Sequence, residues 1–278
     1  MSSVIAEGLR KVYRSEGVIA LDGVSFSITP GEAVAVIGPS GAGKTTLFRI
    51  LTRTIPLESG RVEIDGVDLY RAGYLFLGSV RRRIGLVYQR HNLVTELSAL
   101  QNAATGMIGC CSTWRAIKSL AVGLSGEERR IVEEALGKVG LTGKGEVRAS
   151  NLSGGEQQRL AIARLLVQNP DLVLADEPVA SIDPSSSQRI MEVFKELNEE
   201  GKTIICNLHD VELALSYFPR IIAISQGRLV FDGPPSKLTA AVLTEIYRGG
   251  REAHADETAE PCICVERLAR RGLEQPAN

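Results

Sequence analysis

The chain has no run of 18 or more consecutive apolar residues, which excludes an ordinary membrane-crossing helix. Its opening stretch, MSSVIAEGLRKVY from Met1 to Tyr13, lacks the apolar core of a secretory signal, so a cytosolic setting is expected. Cysteine is sparse and odd in number. Cys110, Cys111, Cys206, Cys262 and Cys264 form no pattern of pairs, which argues for free thiols and against a disulfide scaffold. Cys262 and Cys264 stand close together, but no second pair exists to complete a metal site. Charge of one sign is also missing: 32 Lys and Arg face 33 Asp and Glu, a net charge of −1. The one dense basic cluster, Arg81-Arg82-Arg83, reads as a solvated surface beside a strand, so no nucleic acid is expected as a partner.

What is present is ample core material. With 278 residues, 44% of them hydrophobic, the chain is long enough for one globular domain with an elaboration. Val24, Phe26 and Ile28 alternate like one face of a half-buried strand. Val62 and Ile64, then Asp65-Gly66, then Val67 and Leu69 read as a hairpin, because Asp-Gly supplies the two left-handed turn positions. Four short apolar runs, EAVAVIG, RIGLVYQ, DLVLADE and KTIICNLH, read as strands buried on both faces, and the helical patterns between them predict a parallel sheet with crossovers. Asp183 and Pro184 start a helix with an apolar stripe at Ile190, Val193, Phe194 and Leu197, closed by Gly201. Residues from about 92 to 150 read as an inserted helical subdomain. Ile221 to Phe231 read as a hairpin around Gln226-Gly227, and residues 249–278 as a mobile tail rich in Arg, Glu, Ala and Pro.

Chemistry enters with Gly38-Pro39-Ser40-Gly41-Ala42-Gly43-Lys44-Thr45-Thr46, which fits G-x-x-x-x-G-K-[ST] and falls between a buried strand and a helical segment. The glycines let successive backbone N–H groups face phosphate oxygens. Lys44 would reach the terminal phosphates, and the Thr45 hydroxyl would ligate Mg²⁺. The strand LVLA ends in Asp176 and Glu177, aimed at the edge of the sheet where ligands of open α/β folds gather. There Asp176 would hold the metal and Glu177 would polarise an attacking water; two capping acids are the plainer alternative. His209 ends another such strand and is expected to contact the γ-phosphate.

A second anion site is written at Ser153-Gly154-Gly155, where a helix begins. Ser153 and Glu156 also fit a purely structural capping box, as do Ser125 and Glu128 upstream. Only the later box carries two glycines and precedes the acidic strand.

Taken together and in order, Gly38 to Thr45, Gln89, LSGGEQQR, LADEP, SIDP and His209 resemble the nucleotide-binding subunit of ATP-binding cassette (ABC) transporters over residues 1–248. The resemblance implies an α/β fold: a P-loop NTPase core with a mostly parallel sheet, an N-terminal antiparallel β-subdomain and the α-helical insert. It implies ATP and Mg²⁺ as cofactors and two copies packed head to tail, each Ser153-Gly154-Gly155 contacting ATP held by the other. It further implies that Tyr13 stacks on adenine and that Gln89 touches Mg²⁺ and water while facing a membrane permease. Asp183 would lie on a loop crossing the dimer interface. Glu156 stands where many relatives carry Gln.

A closer resemblance, on GSVRRRIGLVYQRHNLV, ADEPVASIDP, NLHDVELAL, GRLVFDGPP and CCSTWRAIKSL, is to the ATPase subunit of phosphonate importers and their phosphite relatives. This implies a separate binding protein for the solute and a peripheral place on the cytoplasmic face of the membrane, held through permease subunits. Trp114, in the helical insert, reads equally as a permease contact or as an ordinary packing residue. Other ABC transporters (phosphate, amino acid, lipoprotein-release or exporter type) and a soluble ABC ATPase share the ATPase motifs and are the alternatives.

Overall fold

In the computed structural model, residues 2–13, 17–88, 92–109, 124–180 and 182–251 are described. In chain order the elements are β1 (Val4–Tyr13), β2 (Val18–Ile28), β3 (Ala33–Ile37), α1 (Lys44–Leu51), β4 (Ser59–Ile64), β5 (Val67–Asp68), α2 (Tyr74–Arg82), β6 (Ile84–Val87) and α3 (Ala99–Ala104). They continue as α4 (Gly126–Lys138), α5 (Gly154–Gln168), β7 (Leu172–Asp176), α6 (Pro184–Glu199), β8 (Thr203–Asn207), α7 (Val211–Tyr217), β9 (Arg220–Ser225), β10 (Arg228–Gly233) and α8 (Ala240–Arg251). Two compact units form: one from Met1–Ser3, Thr29–Glu32 and Ala72–Cys206, the other from Val4–Ile28, Ala33–Arg71 and Asn207–Asn278.

The second unit holds the phosphate-loop sequence. Its antiparallel sheet has the order β2-β1-β4-β5, with Val4 opposite Ile28, Ala6 opposite Phe26 and Leu9 opposite Val24, so the alternating apolar residues meet on one buried face. Asp65 (φ 51°) and Gly66 (φ 78°) turn β4 into β5, the two left-handed residues the hairpin needs. The other strands of this unit run in the order β10-β9-β3. β3 pairs parallel with β9, and all five β3 residues are buried, as expected of a parallel strand covered on both faces. Gln226 (φ 48°) and Gly227 (φ 74°) turn β9 into β10.

The first unit carries strands in the order β8-β7-β6, with β6 parallel to β7. β7 and β8 are buried throughout. α6 begins as the sequence predicts: the Asp183 carboxylate accepts from the Ser186 N–H at 2.9 Å and Pro184 fills the first helical position. Ile190, Val193, Phe194 and Leu197 are buried on its inner stripe, and Gly201 (φ 89°) follows its end. The helical segment contains α3, a 3₁₀ turn at Thr105–Gly109 and α4. The upstream Ser125–Glu128 box forms at α4, and a further box, Ser98–Gln101, opens α3. Trp114, Cys110, Cys111, Cys262 and Cys264 lie outside the described residues, as does the tail beyond Arg251. No helix among the described residues is long and apolar enough to cross a membrane.

Two glycines of the first unit are expected to respond in opposite directions. A Cβ at Gly106 would lie 2.3 Å from the Arg164 carbonyl oxygen of α5, whereas one at Gly78, inside α2, would meet nothing within 4 Å. Gly106→Ala should therefore destabilise by about 1–3 kcal/mol through overpacking. Gly78→Ala should stabilise by up to about 1 kcal/mol through helix propensity, both read from the midpoint of urea unfolding.

Candidate functional site

β3 delivers the chain into the glycine loop, and that loop is pressed against its surroundings. Gly38 has φ 147°, and a Cβ on it would sit 2.0 Å from the Ile224 carbonyl oxygen; Gly43 has φ 104°, and its Cβ would sit 2.2 Å from that of Ala20. Neither position admits another residue. Between them Gly41 has φ 78°, and Ser40 and Gly41 form the exposed tip. The hairpin turn braces the loop from behind: the Gly227 N–H donates to the Ala42 carbonyl at 3.0 Å, and the Gly227 carbonyl accepts from the Asp22 N–H at 2.8 Å.

α1 then starts with Gly43 at its N-cap, no side-chain cap and no acidic residue in its first turn. Such an end leaves N–H groups and a positive dipole for an anion. Lys44 is buried, and its ammonium donates to the Gly38 and Pro39 carbonyls at 2.6 and 3.0 Å, so the charge is held inside the cradle. Thr45 is half-buried at the second helical position and Thr46 is buried at the third. The Tyr13 hydroxyl lies 3.4 Å from the Thr46 hydroxyl, which places the end of β1 against this first turn. Lys11, itself 3.1 Å from Glu58, sets its ammonium 5.6 Å from the centre of the Tyr13 ring. Tyr13 pairs with Val18, which is 50% exposed beside the 46% exposed Ile19. The sequence signal of this exposed apolar edge is two adjacent apolar residues that break the β alternation. His209 is exposed one residue after Leu208, whose N–H donates to the Val36 carbonyl of β3 at 3.0 Å. That register brings His209 to the end of β3 from which the glycine loop leaves.

In the other unit, Asp176 is buried at the end of β7, and its negative charge adds to burial in pushing the Cys206 thiol up. Glu177 is half-buried and has φ 54°. A left-handed glutamate costs about 1–3 kcal/mol, and the following proline opposes it further by favouring extended backbone. The Ala180 N–H donates to the Glu177 carbonyl at 3.2 Å, closing a turn over the strained residue. Asp183 caps α6 and also accepts from the Ser185 hydroxyl at 2.5 Å; these bonds hold its carboxyl well below the usual carboxylate range.

Ser153 caps α5 in a complete capping box. Its N–H donates to the Glu156 carboxylate at 2.9 Å, and its hydroxyl accepts from the Glu156 N–H at 3.4 Å. A Cβ on Gly154 would meet nothing, and one on Gly155 would make ordinary contact with Ile182 at 3.6 Å. Neither glycine has a positive φ. Nothing described in the chain demands glycine at either place, in contrast to Gly38 and Gly43. The Lys144 ammonium meets Glu156 as a second feature that the sequence did not reveal. Gln89 lies outside the described residues.

A glycine cradle between a buried parallel strand and an uncapped helix defines an α/β nucleotide-binding protein of the phosphate-loop class. Comparison with known proteins narrows the class. The family model described as "ABC transporter" matches residues 21–180. The Phosphonates import ATP-binding protein PhnC of Lactobacillus johnsonii is 42% identical over 254 residues, covering 91% of this chain and 98% of that protein. The protein of the same name from Alcaligenes faecalis is 45% identical over 240 residues, 86% of each chain. Among solved structures, the dimeric post-hydrolysis state of the ATP-binding cassette MJ0796 bound to ADP and Pi is similar with a TM-score of 0.73 and 33% identity, covering 84% of this chain and 98% of that one. The chain belongs to the ABC transporter family.

The Glu156 carboxyl is held down at about 2, from an ordinary 4.5, chiefly by the Lys144 ammonium and then by the Ser153 N–H. Because the folded state releases this proton more readily than the unfolded chain, the stabilisation is complete above pH 4.5 and is lost as pH falls to about 2. Glu156→Gln keeps a capping partner and removes the charge. The gap in thermal midpoint between wild type and this variant should close across that pH window; a gap constant with pH would contradict the assignment.

Proposed function

We propose that the chain is the ATP-hydrolysing, energy-coupling subunit of a membrane importer whose solute is a phosphonate or phosphite. The observation that carries the ATPase reading is the braced glycine cradle with the Lys44 ammonium turned into it at the start of α1. The solute class rests on the likeness to phosphonate import proteins across about nine-tenths of the chain. Residues 1–248 form the ATP-binding domain with its helical insert at about 92–150; α8 carries the chain three residues past that boundary, to Arg251.

Each site residue has a role. The backbone from Gly38 to Thr46 surrounds the phosphates, and Lys44 exchanges two carbonyl partners for phosphate oxygens. Tyr13 stacks on adenine. Glu177 orients and polarises the water that attacks the γ-phosphate, and His209 donates to that phosphate, so that ATP and water give ADP and phosphate. Thr45, Gln89 and Asp176 are the residues that would hold Mg²⁺. One hydroxyl and one carboxylate suit an ion that keeps waters and binds through phosphates, and no cluster of three or more His, Cys, Asp or Glu among the described residues offers a cage. When bound, Mg²⁺ supplies neutralisation of the charge on the phosphate oxygens.

Gly154 and Gly155, bare for no reason internal to the chain, fit an approach by something outside it. In this reading the partner is the triphosphate held by a second copy, packed head to tail, with Ser153 and the Gly154 and Gly155 N–H groups as donors and Asp183 at the shared boundary. Two copies then close on ATP because each nucleotide binds the closed pair better than the open one. Hydrolysis removes the bridging phosphate and releases them. Permease subunits hold the pair at the cytoplasmic face of the membrane and a binding protein delivers the solute.

Glu177→Gln should keep ATP binding, trap a dimer on gel filtration with ATP, and lower turnover by about 10²–10⁴-fold, the usual span of a lost general base. A variant that binds ATP and elutes as a monomer would overturn the head-to-tail arrangement.

A further inference from the structure

Glu177 sits in a backbone conformation that its own side chain and Pro178 both resist, so something must hold it there. Gln158, on α5, is 2% exposed and its amide nitrogen donates to the Pro178 carbonyl at 2.7 Å. Its amide oxygen is buried and accepts no hydrogen bond among the described residues. A methionine or leucine would fill this space but would take the donor away from the Pro178 carbonyl, so packing alone does not account for a glutamine. The next residue, Arg159, donates to the Ser186 hydroxyl in the first turn of α6. Adjacent side chains of one helix thus tie down both ends of the segment from Pro178 to Ser186, which contains Asp183.

We infer that Gln158 is a positioning residue for hydrolysis: it fixes the Pro178 carbonyl and thereby holds the Glu177 carboxylate in its water-activating orientation. Gln158 lies only five residues beyond Ser153 on the same rigid helix, so the tie also joins the Ser153-Gly154-Gly155 end of α5 to the Glu177 turn of the same protomer. The inference rests on Glu177 acting as the base in the reaction proposed above.

The test uses the full chain carrying Gln158→Met, which keeps the volume and removes the donor. Turnover at saturating ATP should fall at least about tenfold while KM and the affinity for ATP stay within about twofold, the pattern of an interaction made only on the way to the transition state. Turnover within about twofold of wild type, or a loss matched by equal loss of ATP affinity, would overturn the inference. If this variant does not fold, Gln158→Asn, which withdraws the same amide by one methylene, carries the same expected and overturning results. A double variant, Gln158→Met with Glu177→Gln, should be no slower than Glu177→Gln alone, since one residue acts through the other. A further tenfold loss in the double variant would contradict the tie. Glu177→Gln by itself reports on the underlying base assignment: full turnover in that variant would sink the base while leaving the Gln158 measurements to be read separately.

Discussion

The glycine loop lies so close to neighbouring backbone that two of its positions leave no room for a side chain. The Ile224 and Ala20 carbonyls stand where side chains of residues 38 and 43 would be, and Gly227 pins the loop between them through Ala42. A phosphate cradle needs its N–H groups aimed inward before the anion arrives, because ordering a free glycine loop at binding would cost conformational entropy. Here two regions far apart in the chain, the start of β2 and the end of β9 with the turn that follows it, do that ordering during folding. The glycines at 38 and 43 are thus set by the protein's own contacts, and the ligand uses a shape already made.

The two helix starts handle their orphan N–H groups differently, and the difference follows from small local choices. α1 has no cap, no first-turn acid and a buried lysine, so its end is left electropositive. α5 has a serine cap, a box-closing glutamate and a lysine partner for that glutamate, so much of its end is satisfied within the chain. What remains open at α5 is steric: two glycine positions around which no described neighbour requires glycine.

Much of this was readable in the sequence because the signals were local. Runs such as AVAVI and LVLAD become fully buried strands, and Asp65-Gly66 and Gln226-Gly227 become hairpin turns with the left-handed pairs they require. Asp183 caps its helix, and both serine boxes close. What stayed hidden depends on distance along the chain or on strain. Lys144 meets Glu156 across a loop, Lys11 meets Glu58 from 47 residues away, and Gln158 reaches Pro178 past the rest of α5 and all of β7. No pattern in ADEP announces a left-handed glutamate, since residue type and the following proline both favour the opposite. The capping box was equally uninformative in the other direction: it forms at Ser125 as it does at Ser153, so the box by itself does not distinguish the two helix starts.

The central claim is that two copies of the chain complete each ATP site. The most direct measurement is the rate of ATP hydrolysis per chain as protein concentration is raised across the range in which light scattering shows monomer giving way to dimer. The account predicts a specific activity that climbs with the dimer fraction and vanishes in dilute solution. Full specific activity from a solution shown to be entirely monomeric would contradict it.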